Sequence, residues 1–296
     1  PIGIAGALMV HRIIPEQEYY RGQSFDLAGG ATFLVGMLAL MLGLSKGQDI
    51  GWTSSTILLL FLISAIFFAA FVHVERRVAH PMIDLSIFKN RIFTVGNIAG
   101  FISYSLMFAT FILPFYLQDI LGFKPTEVGL LLTPLPLMLS VVSPLSGHLS
   151  DKIGVRVPTT IGMLVVCAGM LWISMLSHAS TYLDLVIGLV LLGIGQGLFT
   201  SPNTSAVMGS VPRSKLGIAG GMMALVRNMG FIVGVAMCVA IFTNRMDYYT
   251  ALASNPYTQS TIFTSSMSDV FKVGAAVAFA GVIISGIRAF YVGRKE

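Results

Sequence analysis

Apolar runs alternate with short polar segments along the whole chain. Eight of these runs contain 18 residues or more. A helix needs about 20 apolar residues to cross the hydrocarbon core of a bilayer, whereas a transmembrane β-strand needs about 10 with strict alternation. The pattern therefore predicts an all-α membrane protein with eight full transmembrane helices. We expect these spans at 27–44, 53–74, 92–117, 128–149, 157–176, 182–208, 216–242 and 270–291.

The first apolar run, PIGIAGALMV at residues 1–10, is too short to cross a bilayer. The chain also starts with Pro1 and not with methionine. We interpret this run as a truncated ninth helix, so we expect the sequence to be a fragment of a longer protein. A re-entrant or interfacial segment is the alternative.

Composition agrees with the membrane class. Hydrophobic residues make up 55% of the chain and charged residues only 10%, with a mean hydropathy of +0.83. Soluble domains carry about 25% charged residues, so a water-soluble fold is excluded. The net charge of +5 does not indicate nucleic-acid binding, because the basic residues lie in short segments between apolar runs. Cys167 and Cys238 lie within apolar runs and are expected to be small buried residues, not a disulfide or a metal site.

Lysine and arginine are distributed unevenly between the two sets of connecting segments. If the segment after the truncated helix is cytoplasmic and the spans alternate, thirteen of the 18 basic residues fall inside. The four that fall outside are Lys46, Lys124, Arg245 and Lys272. Because cytoplasmic segments are enriched in basic residues, this bias predicts a cytoplasmic C-terminus. The longest outer segment, 243–269, is rich in Ser, Thr, Tyr and Asn and is expected to be a solvated loop.

Several predicted spans contain proline or clustered glycine. Gly193, Gly195 and Gly197 are expected to form one thin helix face, and Gly230 and Gly234 form a GxxxG pattern. Tight helix packing is the simplest role for these residues, and helices that rock against each other are the functional alternative. The prolines within spans are Pro114, Pro134, Pro136, Pro144 and Pro202.

Arg227 is the one basic residue inside a predicted span, about a third of the way along it and followed by Asn228. A charge in hydrocarbon is costly and marks function by default. One interpretation is a cavity or gating residue that pairs with a carboxylate of another helix. The alternative is that its side chain reaches the cytoplasmic headgroups.

Further polar and aromatic residues lie on shared helix faces. Gln196 and Asn203 are seven residues apart on one span, where they can line a cavity or tie helices together by hydrogen bonds. Asn97, Tyr104 and Phe108 share a face of an earlier span. They are candidates for a cavity that takes a flat hydrophobic compound, and ordinary packing is the alternative.

No carboxylate lies well inside any predicted span, although proton coupling generally requires a buried titratable group. Those near span ends are expected to be solvated or to favour the first turn of a helix. They are Asp119, Glu127, Asp184, Asp269 and, at an inner end, Asp26.

Motifs of enzymes and cofactor-binding proteins are missing from the sequence. The five histidines have no metal-ligand spacing such as HExxH, and there is no P-loop for ATP and no GxSxG nucleophile motif. We therefore expect no catalytic residue, no metal site and no cofactor.

One connecting segment, GHLSDKIGVR at 147–156, has a distinctive composition. Gly147 lets two helices approach, and Gly154 suits a tight turn. Asp151 can meet a helix N-terminus or a basic partner, while Lys152 and Arg156 are positive-inside residues that can bridge to helix ends. Together these residues form a candidate gating latch, and a plain short turn is the alternative. The latch residues are Gly147, Asp151, Lys152, Gly154 and Arg156.

This decapeptide resembles the G-x-L-(A/S)-D-(R/K)-x-G-x-(R/K) loop motif of the major facilitator superfamily. Other segments are similar to the fourteen-span drug:proton antiporter (EmrB/QacA-type) subfamily. PIGI at 1–4 looks like the middle of its sixth span. VERRVAHPMIDL at 74–85, with FKNR at 88–91, and GIAGGM at 217–222, followed by RNMG at 227–230, are also similar to that subfamily.

The resemblance implies a division of the chain. Residues 1–26 would hold the truncated span and a cytoplasmic loop, and 27–91 the two extra central helices and a cytoplasmic loop. Residues 92–296 would form the C-terminal six-helix half of the transporter. By the same resemblance, the third, fourth, sixth and seventh full spans of this chain would line the C-terminal side of a central cavity.

The resemblance also implies a function. A secondary active, proton-coupled exporter of small amphipathic or cationic drug-like molecules is expected, in the cell inner (plasma) membrane. The principal acidic coupling residue is expected upstream of this sequence. Besides protons and the lipid bilayer, a periplasmic adaptor protein is a partner that the resemblance allows, and no nucleic-acid partner is expected.

Three alternatives remain open. The protein could be a facilitator-superfamily carrier of one specific metabolite, or a fragment that is inactive without its N-terminal half. A membrane-embedded transferase would need clustered Asp or His at a membrane face, and Asp184, Asp247 and Asp269 do not form such a cluster.

Overall fold

The computed structural model describes residues 26–78, 81, 85–177, 179–252 and 259–287, together with Met9 and Arg12. Most of the predicted truncated span, 1–10, therefore lies outside the described residues. Within the described ranges eight helices are long and apolar enough to cross a membrane, which confirms the predicted all-α membrane class. They are α1 (Leu27–Ile50), α2 (Ser55–Glu75), α3 (Arg91–Ile120), α4 (Pro125–Ile153), α5 (Arg156–Ser174), α6 (Tyr182–Gly209), α7 (Leu216–Leu252) and α8 (Gln259–Ile287).

Six of these helices form two packed layers. In the front layer, α4, α6, α3 and α7 lie side by side in that order, because α6 packs against both α4 and α3, and α3 packs against α7. Behind them, α5 packs on α6, and α8 packs on α3, α5 and α7. The main hydrophobic core lies between the two layers and includes Phe108, Met163, Phe199 and Phe271.

α1 and α2 form an antiparallel pair that packs mainly on itself and reaches the other helices through α1 and α7. Asp26 caps α1 by accepting a hydrogen bond from Gly29 N at 2.8 Å. The carboxyl group of Glu75, at the end of α2, lies against the same surface of Gly29. Because the last turn of α2 covers this site, Asp26 is buried. Of the two roles expected for it, a solvated group or a group that favours a helix start, the structure shows the second.

Two amide side chains of α6 fix its position against α3. Gln196 accepts a hydrogen bond from Ser103 Oγ at 2.8 Å and donates one to the Ser103 carbonyl at 3.0 Å. Asn203 donates to the Gly96 carbonyl at 3.1 Å. The spacing is seven residues on both helices, about two turns, but it runs in opposite directions. These bonds, which we call the amide clasp, therefore fix an antiparallel register.

α7 crosses α3 at the GxxxG pattern. A Cβ atom at Gly230 would lie 2.8 Å from the carbonyl oxygen of Phe101, and one at Gly234 would overlap the carbonyl of Ser105. A larger residue at either position would force the two backbones apart. The pattern thus correctly predicts a close approach of two helices.

The three glycines of α6 do not form one face. A Cβ at Gly193 or Gly197 would meet α4, at 2.8 Å from Met138 or Val142 respectively. One at Gly195 would meet α5, at 2.6 Å from Val166. Two residues turn a helix by about 200°, so alternate glycines point to opposite sides. The expected single face is therefore wrong, and the glycines instead let α6 pack closely between two neighbours.

α3 is not a uniform α-helix. It is α-helical over Arg91–Ser105, tightens to a 3₁₀ turn at Leu106–Phe108, resumes over Ala109–Phe115 and widens to a π-helix at Tyr116–Ile120. Pro114 removes one backbone donor shortly before the π-helical turn. A 3₁₀ residue advances a helix by about 120° instead of about 100°, so three of them rotate the following side chains by about 60°.

α7 and α8 are longer than predicted. They continue through most of the segment 243–269, so the expected solvated loop is wrong for its described residues. The two extensions bind each other: Asp269 accepts a hydrogen bond from Tyr249 Oη at 2.9 Å and pairs with Arg245 Nε at 3.2 Å. The polar side chains that indicated a loop therefore satisfy one another between two helices.

Carboxylates start α4 and α6 as expected. Glu127 accepts a hydrogen bond from Lys124 N at 2.9 Å, and Asp184 accepts one from Thr181 N at 2.9 Å. Both residues lie in the first turn, where they satisfy backbone donors that the helix leaves open. The prediction of first-turn carboxylates is confirmed at these two positions.

Replacing Gln196 by leucine removes both bonds to Ser103 at nearly constant volume. We expect the free energy of unfolding to fall by about 0.6–1.7 kcal/mol, the range of interhelical hydrogen bonds in membrane proteins. Thermal unfolding in detergent measures this change. Gln118→Leu is the matched control, because Gln118 is exposed and, among the described residues, bonds only to Pro114 of its own helix. Equal losses in the two variants would contradict a stabilising clasp.

Candidate functional site

α4 exposes two adjacent faces of different chemistry. The hydrophobic face favours contact with lipid, whereas the second face carries hydroxyl groups, prolines and a histidine and suits a cavity or a protein partner. The hydrophobic face consists of Leu130, Leu137, Val141, Leu145 and Leu149. The second face consists of Thr133, Pro136, Ser140, Pro144 and His148.

The exposed face of α7 carries a charge deep in a span. Arg227 and Asn228 are both exposed, on the side of the helix that also presents Gly217, Gly221 and Phe231. Arg227 lies about 17 Å, or three helical turns, from the first residue of α7. Among the described residues no carboxylate lies within ion-pair distance of its guanidinium group.

Tyr104 of α3 lies beside this charge. The Arg227 guanidinium is close enough to act electrostatically on the Tyr104 phenol, and Gly230 of α7 packs against the Cβ of Tyr104. We call one set of polar residues of the front layer, all of them exposed except the half-buried Tyr104, the polar face. It consists of Thr133, Ser140 and His148 of α4, Tyr104 of α3, and Arg227 and Asn228 of α7.

The helices at the two edges of the front layer are poorly covered. Of the 18-residue apolar core of each helix, 11% is buried in α4 and 17% in α7, against 50% in α3 and α6. Helices with so little internal contact present most of their surface to lipid or to other protein. The polar face therefore lies where a further packing surface is open.

The two amides predicted as cavity candidates do not belong to this open surface. Gln196 and Asn203 are buried, and both are used in the amide clasp. The geometry corresponds to the second of the two roles considered for them, a tie between helices. Asn97 is also buried; its Nδ2 donates to the Phe93 carbonyl at 2.8 Å, and its Oδ1 has no hydrogen-bond partner among the described residues.

Phe108 does not share a surface with Asn97 and Tyr104. It is fully buried in the core, where its ring lies 5.5 Å from that of Phe271 in α8. The 3₁₀ turn at Leu106–Phe108 rotates it away from the direction that regular helix geometry predicts. The expected common face of these three residues is therefore wrong at its third member.

The segment 147–156 is mostly helical. α4 continues to Ile153, Gly154 takes a positive φ of 80°, and α5 begins at Arg156. The positive φ explains why glycine ends this helix. A Cβ at Gly147 would lie 2.9 Å from Ser201 Oγ of α6, so this glycine faces a neighbouring helix.

The charges of this segment point outwards. Asp151, Lys152 and Arg156 are exposed, and none of them forms an ion pair with another described residue. They lie at the end of the bundle that also carries Lys89, Arg91 and Arg213, which we call the basic end. Their side chains are available to a partner surface.

Sequence reasoning missed two groups of residues. The first is Ser103, which is the partner of both Gln196 hydrogen bonds. It is a small polar residue seven positions after Gly96, and this spacing was the signal that could have indicated a contact with α6. Thr133 and Ser140 were also missed; their hydroxyls donate to carbonyls of their own helix at 2.9 and 2.8 Å. Within the described ranges no three His, Cys, Asp or Glu side chains come together as metal ligands.

Comparisons with known proteins agree with this architecture. Residues 2–235 match the family model described as the Major Facilitator Superfamily. The chain is 31% identical over 288 residues to a protein named riboflavin transporter RibZ of Clostridioides difficile, covering 96% of this chain and 61% of that protein.

Two other relatives have names that refer to drugs. The chain is 33% identical over 249 residues to multidrug resistance protein Stp of Mycobacterium tuberculosis, covering 80% of this chain and 44% of Stp. It is 30% identical over 262 residues to multidrug transporter protein MdtP of Bacillus subtilis, covering 88% of this chain and 48% of MdtP. The chain thus spans about half the length of the curated relatives it matches. Since the family model covers most of its residues, this chain belongs to the major facilitator superfamily.

Proposed function

We propose that this chain is the C-terminal part of a fourteen-span, proton-coupled multidrug exporter. The observation that carries the proposal is the polar face, which places Arg227 and Asn228 on an exposed side of a poorly covered helix. Relatives named for multidrug resistance support the substrate class. The incomplete coverage of those relatives supports a missing partner half.

In this proposal the helices have distinct roles. α1 and α2 are the two extra central helices of the fourteen-span members, and α3 to α8 form the C-terminal six-helix half. The weak attachment of the α1–α2 pair, mainly through α7, supports this division. We assign the basic end to the cytoplasm of a cell with this protein in its inner membrane, because cytoplasmic segments are enriched in lysine and arginine. The C-terminus would then be cytoplasmic as well.

The front layer would form one wall of the transport cavity. Alternating access in such transporters is largely a rocking of one helical half against the other around a midplane site. The amide clasp and the GxxxG crossing support this, because they hold α6, α3 and α7 together as one rigid wall. Thr133, Ser140, Tyr104, Arg227 and Asn228 would then face the substrate or the opposite half.

Arg227 would act as a fixed positive charge in this wall. Insertion scales place the cost of an arginine at the centre of a lipid-facing helix at about 3 kcal/mol, so a cavity or a carboxylate partner is the favourable surrounding. Because the 37 residues of α7 span about 55 Å and exceed the hydrocarbon core, transport by an Arg227 variant decides between this surrounding and the headgroup alternative. A carboxylate on the opposite half, which would also carry the coupling proton, is the expected partner.

The segment 147–156 would form a latch at the cytoplasmic surface. Gly147 holds α4 close to α6, and Gly154 sets the exit direction of α5. Asp151 stays exposed and is placed to meet a helix N-terminus or a basic side chain of the opposite half. Such a contact would stabilise one of the two end states.

Transport of a single metabolite is the second candidate. The relative named as a riboflavin transporter favours it, with 31% identity across 96% of this chain. Riboflavin is itself a flat, amphipathic molecule, so the polar face alone does not distinguish the two functions. Substrate competition in vesicles distinguishes them.

Vesicles that contain the full-length transporter should accumulate a fluorescent cationic drug when a proton gradient is imposed. We expect structurally unrelated drugs to compete, riboflavin not to compete, and a protonophore to stop accumulation. Vesicles without the transporter are the control. If riboflavin alone competes, the multidrug proposal is wrong and the chain belongs to a metabolite carrier. If the protonophore does not reduce transport, the proposal of proton coupling is wrong.

Arg227→Gln should lower the rate of drug transport about tenfold, because a charge-assisted contact of about 1.5 kcal/mol or more is lost. Arg213→Gln is the matched control, since Arg213 is exposed at the basic end outside the polar face. Initial rates are compared at equal amounts of protein in the membrane. Unchanged transport by Arg227→Gln would show that this residue faces lipid headgroups.

Asp151→Asn should reduce efflux without removing the protein from the membrane, since it weakens a contact that forms only between the two halves. Asp119→Asn, an exposed carboxylate near the other end of the bundle, should leave efflux unchanged. Efflux and membrane abundance are measured in the same cells. Normal efflux by Asp151→Asn would rule out the latch.

A further inference from the structure

A continuous fissure separates α1 from α7 and α8 in the half of the bundle opposite the basic end. It consists of a cavity of about 770 Å³ and a second of about 530 Å³. Gln48 and Trp52 line both, so the two cavities are adjoining parts of one space. Both volumes are in the range of about 300–1,000 Å³ that is typical of small-molecule sites.

The first part of the fissure is charged. Arg245 and Lys272 line it together with Asp247 and Asp269, so that two positive and two negative groups are present. Asp269 pairs with Arg245 Nε at 3.2 Å and with Lys272 Nζ at 3.3 Å. Asp247 is exposed and has no ion pair among the described residues. The four charged groups at this end sum to zero net charge and offer both positive and negative contacts to a ligand.

The second part of the fissure is apolar. On α7 it runs from Phe231 to Val239, about 12 Å along the helix. Phe231 and Phe111 are 40% and 38% exposed, so their rings form a partly open wall of this space. Its lining includes Met41, Leu44, Phe111, Ile232, Val235 and Val239.

We propose that this fissure binds one phospholipid of the surrounding bilayer, with a primary-ammonium headgroup. An acyl chain lies in the apolar part between α1 and α7. The phosphate accepts hydrogen bonds from Arg245 and Lys272, and the ammonium group donates to Asp247. Trp52, at the junction, is a residue type that favours the level of the headgroups.

Charge complementarity decides the class of lipid. An anionic headgroup would leave Asp247 without compensation, whereas a zwitterionic one matches the neutral set of four charges. A primary ammonium group has three N–H donors for carboxylates, and a quaternary choline group has none. The site therefore favours phosphatidylethanolamine over phosphatidylcholine. Its apolar part lies on the side of α7 that carries Asn228, since Ile232, Val235 and Val239 follow Asn228 by four, seven and eleven residues. The experiment therefore also tests whether a transported drug occupies the fissure.

The experiment is native mass spectrometry of the full-length transporter, released from membranes that contain equal amounts of phosphatidylethanolamine and phosphatidylcholine. We expect one retained phosphatidylethanolamine, about fivefold more abundant than retained phosphatidylcholine. One favourable charge contact at a membrane surface changes the binding constant by about this factor. Ala236→Trp, which fills the apolar part, should lower retention of both lipids about tenfold. Val141→Trp, on the exposed hydrophobic face of α4, is the matched control.

A second variant tests the headgroup contact without a change in packing. Asp247→Asn should remove the preference for phosphatidylethanolamine while an acyl chain is still retained, and Asp119→Asn should keep the preference. The proposal is overturned if the unmodified protein retains no lipid, or if Ala236→Trp and Val141→Trp retain equal amounts. It is also overturned if a transported drug displaces the lipid mole for mole, since the fissure would then be a substrate site.

Discussion

The architecture depends on the amide clasp between α3 and α6. Inside a bilayer there is little hydrophobic driving force to bring two apolar helices together, so close packing and hydrogen bonds determine their association. Gln196 and Asn203 supply these bonds at two levels of one helix pair, and each donates to a carbonyl group of α3, that of Ser103 and that of Gly96 respectively. α4 packs on the outer side of α6 and α7 on the outer side of α3, so this pair forms the centre of the front layer.

The clasp also decides which polar residues remain available for function. Amides that bind across a helix interface are not free to bind a substrate, because breaking their bonds would leave buried polar groups unsatisfied. The polar residues left over are those on the edge helices, chiefly Arg227 and Asn228 on α7 and the hydroxyl-bearing face of α4. In the proposed transporter, structural and transport roles would thus be divided between the centre and the edges of one layer.

The sequence predicted the parts of the fold that hydrophobicity alone determines. All eight spans were found, because 18 or more apolar residues have few stable conformations in a membrane other than a helix. The errors lie where contacts between helices determine the structure. The polar composition of 243–269 indicated a loop, but Asp269 binds the extensions of α7 and α8 to each other. One 3₁₀ turn also moves Phe108 into the core. Neither effect leaves a periodic signal in a single sequence.

α7 illustrates how one helix combines different environments. Its buried glycines, Gly230 and Gly234, admit α3, whereas Asn228 lies on its exposed side. The apolar part of the fissure continues on that exposed side, because Val235 and Val239 lie seven and eleven residues after Asn228. If the polar face meets an opposite half as proposed, a movement of α7 relative to that half would also change the fissure beside α1. Occupancy of the fissure and the position of the polar face would then be connected through a single helix.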